Sequence, residues 1–122
     1  MKKNMEHRYC IDERRQQLAE LVAALPDLIN VTRSTPQVTH FTSEYEAALE
    51  QATALLAFGF NQEQLSALSR SIPDAFPRHK DWIPLEMAPD GKWQQPAWIV
   101  SVESKLQPVL RFAEVLRMLG YY

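Results

Sequence analysis

Proline is spread unevenly along this chain, and that limits its fold more than any other feature. Residues 72–98 hold five of the eight prolines, Pro73, Pro77, Pro84, Pro89 and Pro96, and all three tryptophans, Trp82, Trp93 and Trp98. Proline has no amide proton to give a helix or sheet, and it biases the residue before it away from the helical region. Residues 72–97 therefore read as an irregular segment that crosses the surface of something more regular. Within it, Pro89-Asp90-Gly91 has turn chemistry: proline presets one dihedral angle and glycine accepts a positive one. The flanks Leu85-Glu86-Met87 and Lys92-Trp93-Gln94 are placed to pair as a small hairpin, bounded by Pro84 and Pro96.

The rest of the chain has helical periodicity. Ile11, Leu18, Val22 and Leu25 share one stripe with Leu21 beside them, and Asp12 and Glu13 fall where a helix start favours negative charge. Pro26 is expected to end or kink this helix, or to open a second short one carrying Leu28 and Ile29. Residues 32–41 read as a loop. Ser43 and Glu46 have the spacing of a capping box, followed by the apolar stripe Tyr45, Ala48, Leu49, Ala52, Leu55 and Leu56. Gly59 fits the left-handed residue that closes a helix. Asn61 and Gln64 then open a short helix that buries Leu65 and Leu68 and stops at Pro73.

Residues 98–105 are open to two readings, a β-branched strand or the first turns of a helix begun near Pro96. From Leu106 the period is helical through Val109, Leu110, Ala113, Leu116 and Leu119, with Pro108 marking a kink or restart and Gly120 a stop. Residues 1–8 are polar and expected to fray. The expected architecture is all-α: one domain over 1–122, a bundle of four to five helices interrupted by the Pro/Trp-rich segment. At 122 residues the chain is long enough for one core without covalent staples.

Composition removes several classes of function. Gly59, Gly91 and Gly120 are too far apart to share a phosphate-cradling loop. Cys10 is the lone cysteine, which rules out an intramolecular disulfide and a zinc finger built on several thiolates. There is no His-Glu-x-x-His and no acidic calcium loop, so no metal and no cofactor is expected. The apolar windows 18–25 and 52–60 are too short for a membrane span, and the N-terminal lysines precede no apolar stretch of a secretory signal. A reducing cytoplasmic setting is the simplest expectation. The formal net charge is −2 and no segment is strongly basic, so neither nucleic acid nor membrane is an expected partner. Residues 41–71 are mildly acidic, carrying Glu44, Glu46, Glu50 and Glu63 against Arg70.

Catalytic signals are sparse. Cys10 and His7 are one helical turn apart, in a segment with nothing to exclude water. His79 and Asp81 could form an oriented general base in a loop, which gives an enzymatic alternative: a small hydrolase or transferase. Glu46 and Glu50 are one turn apart on a helix and lie off its apolar stripe. The unusual feature is tryptophan among prolines. Tryptophan dominates interface hot spots, and proline-stiffened loops bind at lower entropic cost. Burial against the helices is the ordinary use of so large a ring.

The leading expectation is a non-catalytic protein-binding module. Within that class it is an immunity- or antitoxin-like inhibitor of a toxin or effector, with Trp82, Trp93, His79, Glu46 and Glu50 as the contact surface. A homo-oligomeric helical protein joined through exposed aromatics is the third reading.

Overall fold

The computed structural model describes residues 9–76 and 84–118. Among these residues it is mostly helical, with a small two-stranded antiparallel sheet. The helices are α1 (Ile11–Arg33), α2 (Thr42–Phe58), α3 (Gln62–Ser71) and α4 (Ala97–Arg117), with a 3-10 turn at Thr39–Phe41. The strands β1 (Glu86–Met87) and β2 (Trp93–Gln94) lie between α3 and α4. α1 packs against α4 and α2, and α3 packs against α4 and α2. Leu18, Leu21, Leu25 and Leu28 of α1 meet Tyr45 and Ala52 of α2, Leu65 and Leu68 of α3, and Ile99, Val102, Leu106 and Leu116 of α4 in one core cluster.

Both interior prolines are absorbed. α1 continues through Pro26 to Arg33, and α4 runs through Pro108, so neither helix ends or restarts where proline chemistry suggested. An interior proline costs a helix about 3 kcal/mol. Beyond Pro26, however, α1 buries Leu28, Ile29 and Thr32, and one fully buried leucine is worth about 1.5–3 kcal/mol. The burial downstream therefore outweighs the missing hydrogen bond. The same balance resolves 98–105 as helix: Ile99, Val102, Leu106 and Val109 bury one face at three- and four-residue spacing. Pro96 stands at the N-cap of α4, and the Ile99 amide donates to its carbonyl at 3.1 Å.

The caps divide. Asn61 opens α3 as expected: the Gln64 amide donates to its Oδ1 at 2.8 Å, and the Asn61 amide donates to Gln64 Oε1 at 2.9 Å. Ser43 caps nothing. It lies inside α2, exposed, because the 3-10 turn carries the chain straight into the helix with Phe41 at the N-cap. Glu46 is left to pair with Arg33 instead. Gly59 closes α2 with φ +105° and ψ 163°, a different positive-φ region from the left-handed helical one expected, but one equally reserved for glycine. The loop expected over 32–41 is shorter, since Thr32 is buried in the last turn of α1. Its hydroxyl donates to the Leu28 carbonyl at 2.9 Å and lies 3.1 Å from the Thr42 hydroxyl, which donates to it.

Candidate functional site

The hairpin forms where its turn residues placed it. The Ala88 amide donates to the Lys92 carbonyl at 2.8 Å, and the Gly91 amide to the Ala88 carbonyl at 2.9 Å. Gly91 has φ +85°, and the Lys92 amide donates to Asp90 Oδ1 at 3.0 Å. This is a three-residue loop with glycine at the bulge, a connection that fits the twist of the flanking strands. The register pairs Glu86 with Gln94 and Met87 with Trp93.

Directly paired residues on antiparallel strands share a face. That face is apolar and turned to solvent: Trp93 is 65% exposed and Met87 54%. Leu85, two residues before Met87, is exposed as well. Along the backbone the strands neighbour each other and none of the helices.

The tryptophans therefore have different uses. Trp98 is half-buried on α4, its ring 6.0 Å from that of Phe76. Trp93 stands outward. Trp82, His79 and Asp81 lie outside the described residues, as do His7, Leu119 and Gly120.

Glu46 and Glu50 lie on the exposed edge of α2. With Pro26, Ile29, Asn30, Arg33 and Leu49 they line a shallow cleft of about 330 Å³ between α1 and α2. Arg33 Nη2 donates to Glu46 Oε2 at 2.8 Å, both side chains being half-exposed. An ion pair that open to water contributes about 0–1 kcal/mol. The hairpin and the acidic edge are thus separate features, since neither strand adjoins α2.

A polar cluster that the sequence reading passed over sits at the other end of the molecule. Arg14 is buried, and its side chain reaches the C-terminal end of α4. Nη1 donates to the Val115 carbonyl at 2.9 Å and to Gln17 Oε1 at 2.9 Å. Nη2 donates to Gln62 Oε1 at 2.8 Å and to the Met118 carbonyl. The amide of Gln62 donates in turn to the Leu116 carbonyl at 2.8 Å.

These donors reach the carbonyls of the last turn of α4, where the Val115 carbonyl also accepts the Met118 amide at 3.1 Å, and the cation faces the negative end of the helix dipole. Burial lowers the guanidinium's pKa, while Tyr9 and Glu13 nearby oppose that shift. The Tyr9 ring lies 4.6 Å from the guanidinium carbon. The available signal was position: Arg14 sits four residues before Leu18, on the stripe where Ile11 was expected, and Ile11 is exposed.

Tyr45 is the other buried polar anchor. Its hydroxyl donates to the Pro73 carbonyl at 2.8 Å, tying α2 to the start of the proline-rich segment. Burial pushes the phenol well above its ordinary range, and the negative charges of Asp74 and Glu44 add to that.

A third surface lies between α3 and α4. It is a trough of about 700 Å³ walled by Arg70, Arg111, Arg117, Asp74 and Glu114, over Ile72, Leu110 and Ala113.

Among the described residues no three His, Cys, Asp or Glu side chains come together as a metal-binding set, and no helix is long and apolar enough to cross a membrane. Comparison with protein-family models, curated proteins and solved structures found no match for this chain.

Proposed function

We propose that this chain is a non-catalytic protein-binding module that presents the hairpin at Glu86–Gln94 to its partner. One observation carries the reading: the cross-strand pair of Met87 and Trp93, more than half exposed on a hairpin whose four strand residues are all exposed. Burying a tryptophan is favourable, and the core takes in most of the large apolar side chains of the helices, with Ile11, Phe58 and Val100 left exposed singly rather than as a pair. An outward apolar pair on a tight, proline-bounded turn is already ordered. A partner that covers it gains the burial without first fixing a loop.

Within that class, the small size and slightly acidic charge suit an antidote-type inhibitor of a toxin or effector. The acidic edge at Glu46 and Glu50 supplies a second, charge-based contact for a basic partner.

The test compares wild type with Trp93→Ser, each immobilised at equal density in native lysate, with retained proteins identified by mass spectrometry. The expected result is a protein held by wild type and lost by the variant, with helical circular dichroism unchanged. If both chains retain the same proteins, the hairpin is not the contact. If the retained protein is another copy of this chain, the homo-oligomeric reading replaces this one.

A further inference from the structure

The trough between α3 and α4 holds three guanidinium groups, those of Arg70, Arg111 and Arg117. None of them is hydrogen-bonded or ion-paired to a described residue, although the carboxylates of Asp74 and Glu114 line the same trough. Each guanidinium offers a planar fork of donors shaped for a carboxylate or phosphate. The floor is of another kind, being formed by Ile72, Leu110 and Ala113. A ligand that fits therefore needs separate negative charges for the rim and an apolar group for the floor.

The two carboxylates decide which anion. A compact polyanion, or a nucleic-acid backbone with one charge sign at every step, meets Asp74 and Glu114 as repulsion. A peptide whose single carboxylates alternate with apolar and neutral residues can place its acids on the arginines. It can then set an apolar side chain on the floor and bring backbone amides to Asp74 and Glu114.

We propose that the α3–α4 trough binds an acidic peptide segment of a partner protein, with carboxylates interleaved by apolar side chains. The proposal shares with the protein-binding reading only the class of partner. It uses a different surface, and the two fail separately.

The experiment measures fluorescence anisotropy of a labelled peptide of repeating Glu-Leu-Ser-Glu units against the full chain. A second peptide has Gln in place of every Glu, and single-stranded RNA and inorganic polyphosphate serve as competitors. The Glu peptide is expected to bind, to weaken as salt rises, and to bind roughly tenfold or more tighter than the Gln peptide. Arg111→Glu with Arg117→Glu is expected to remove that preference. If this pair of changes disturbs the fold, Arg70→Glu on the opposite wall makes the same test. Trp93→Ser is expected to leave peptide binding unchanged.

Equal binding of the two peptides, or no binding of the Glu peptide, overturns the proposal. So does displacement of the peptide by RNA or polyphosphate at lower concentration than by unlabelled peptide. Loss of peptide binding in Trp93→Ser would put the peptide on the hairpin, and the trough assignment would fall.

Discussion

The helices and the hairpin treat the same kind of side chain in opposite ways. Leu18, Leu28, Leu106 and Leu116 have no solvent exposure, whereas Leu85, Met87 and Trp93 are each more than half exposed. Hydrophobicity alone does not separate the two sets. The helices can turn a whole apolar face toward a neighbour at three- and four-residue spacing. A hairpin of two-residue strands has no such neighbour, and its prolines prevent it from joining a wider sheet. In the helices, most apolar side chains hold the fold together, Phe58 at the end of α2 being the largest exception at 90% exposed. On the hairpin they are left for something else to cover.

If that contrast is right, substitutions should sort by region. The largest effect is expected at Leu28, which α1 buries completely beyond Pro26. Leu28→Ala should lose about 2–5 kcal/mol of unfolding free energy in urea denaturation, because it removes the burial that carries α1 through its proline. A loss below about 1 kcal/mol would mean that the residues after Pro26 do not hold the helix.

Arg14 comes next. Arg14→Met keeps the stem and removes the fork, leaving the Val115 and Met118 carbonyls without those donors. The expected loss is about 1–3 kcal/mol in the same measurement. Arg14→Lys should recover only part of it, since one ammonium cannot reproduce the fork.

Tyr45 tests the junction between the two regions. Tyr45→Phe removes the donor to the Pro73 carbonyl and should cost about 1–2 kcal/mol near neutral pH. The folded phenol titrates above its unfolded value, so its stabilisation is complete below the unfolded pKa of about 10 and is lost as pH rises beyond it. Wild type should therefore lose more stability than Tyr45→Phe between about pH 9 and about pH 11. Parallel losses in the two chains would break the link between burial and this titration.

The smallest effect is expected on the hairpin: Trp93→Ser and Met87→Ser should each shift stability by no more than about 0.5 kcal/mol.

The elements that could be read from sequence are those set by a few neighbouring residues. Asn61 with Gln64, and Pro89-Asp90-Gly91, specify their cap and turn locally, and both formed. The apolar stripes identified the buried faces of α2 and α4 for the same reason. The failures came where distant contacts decide. The helix end offered at Pro26 and the restart offered at Pro108 did not occur, because burial on both sides of each proline keeps the helix continuous. Ser43 and Glu46 have capping-box spacing, but the incoming 3-10 turn sets the N-cap at Phe41 and puts Ser43 two residues inside the helix.

Of the candidate site, Trp93 was legible as an unusual residue next to a turn. Its outward direction was not, because that depends on what the rest of the fold brings beside the hairpin. Arg14 showed only in its place on the α1 stripe, four residues before Leu18, and the arginines of the α3–α4 trough were invisible, since their grouping joins residues far apart in the chain.

The hairpin's role in partner recognition can be tested most directly by replacing Trp93 with a photo-crosslinking phenylalanine analogue and irradiating cells that express the full chain. The account predicts a covalent adduct with one other protein, absent when the same analogue replaces Val100 on the exposed face of α4. No adduct at position 93, or an adduct with the mass of two copies of this chain, would contradict it.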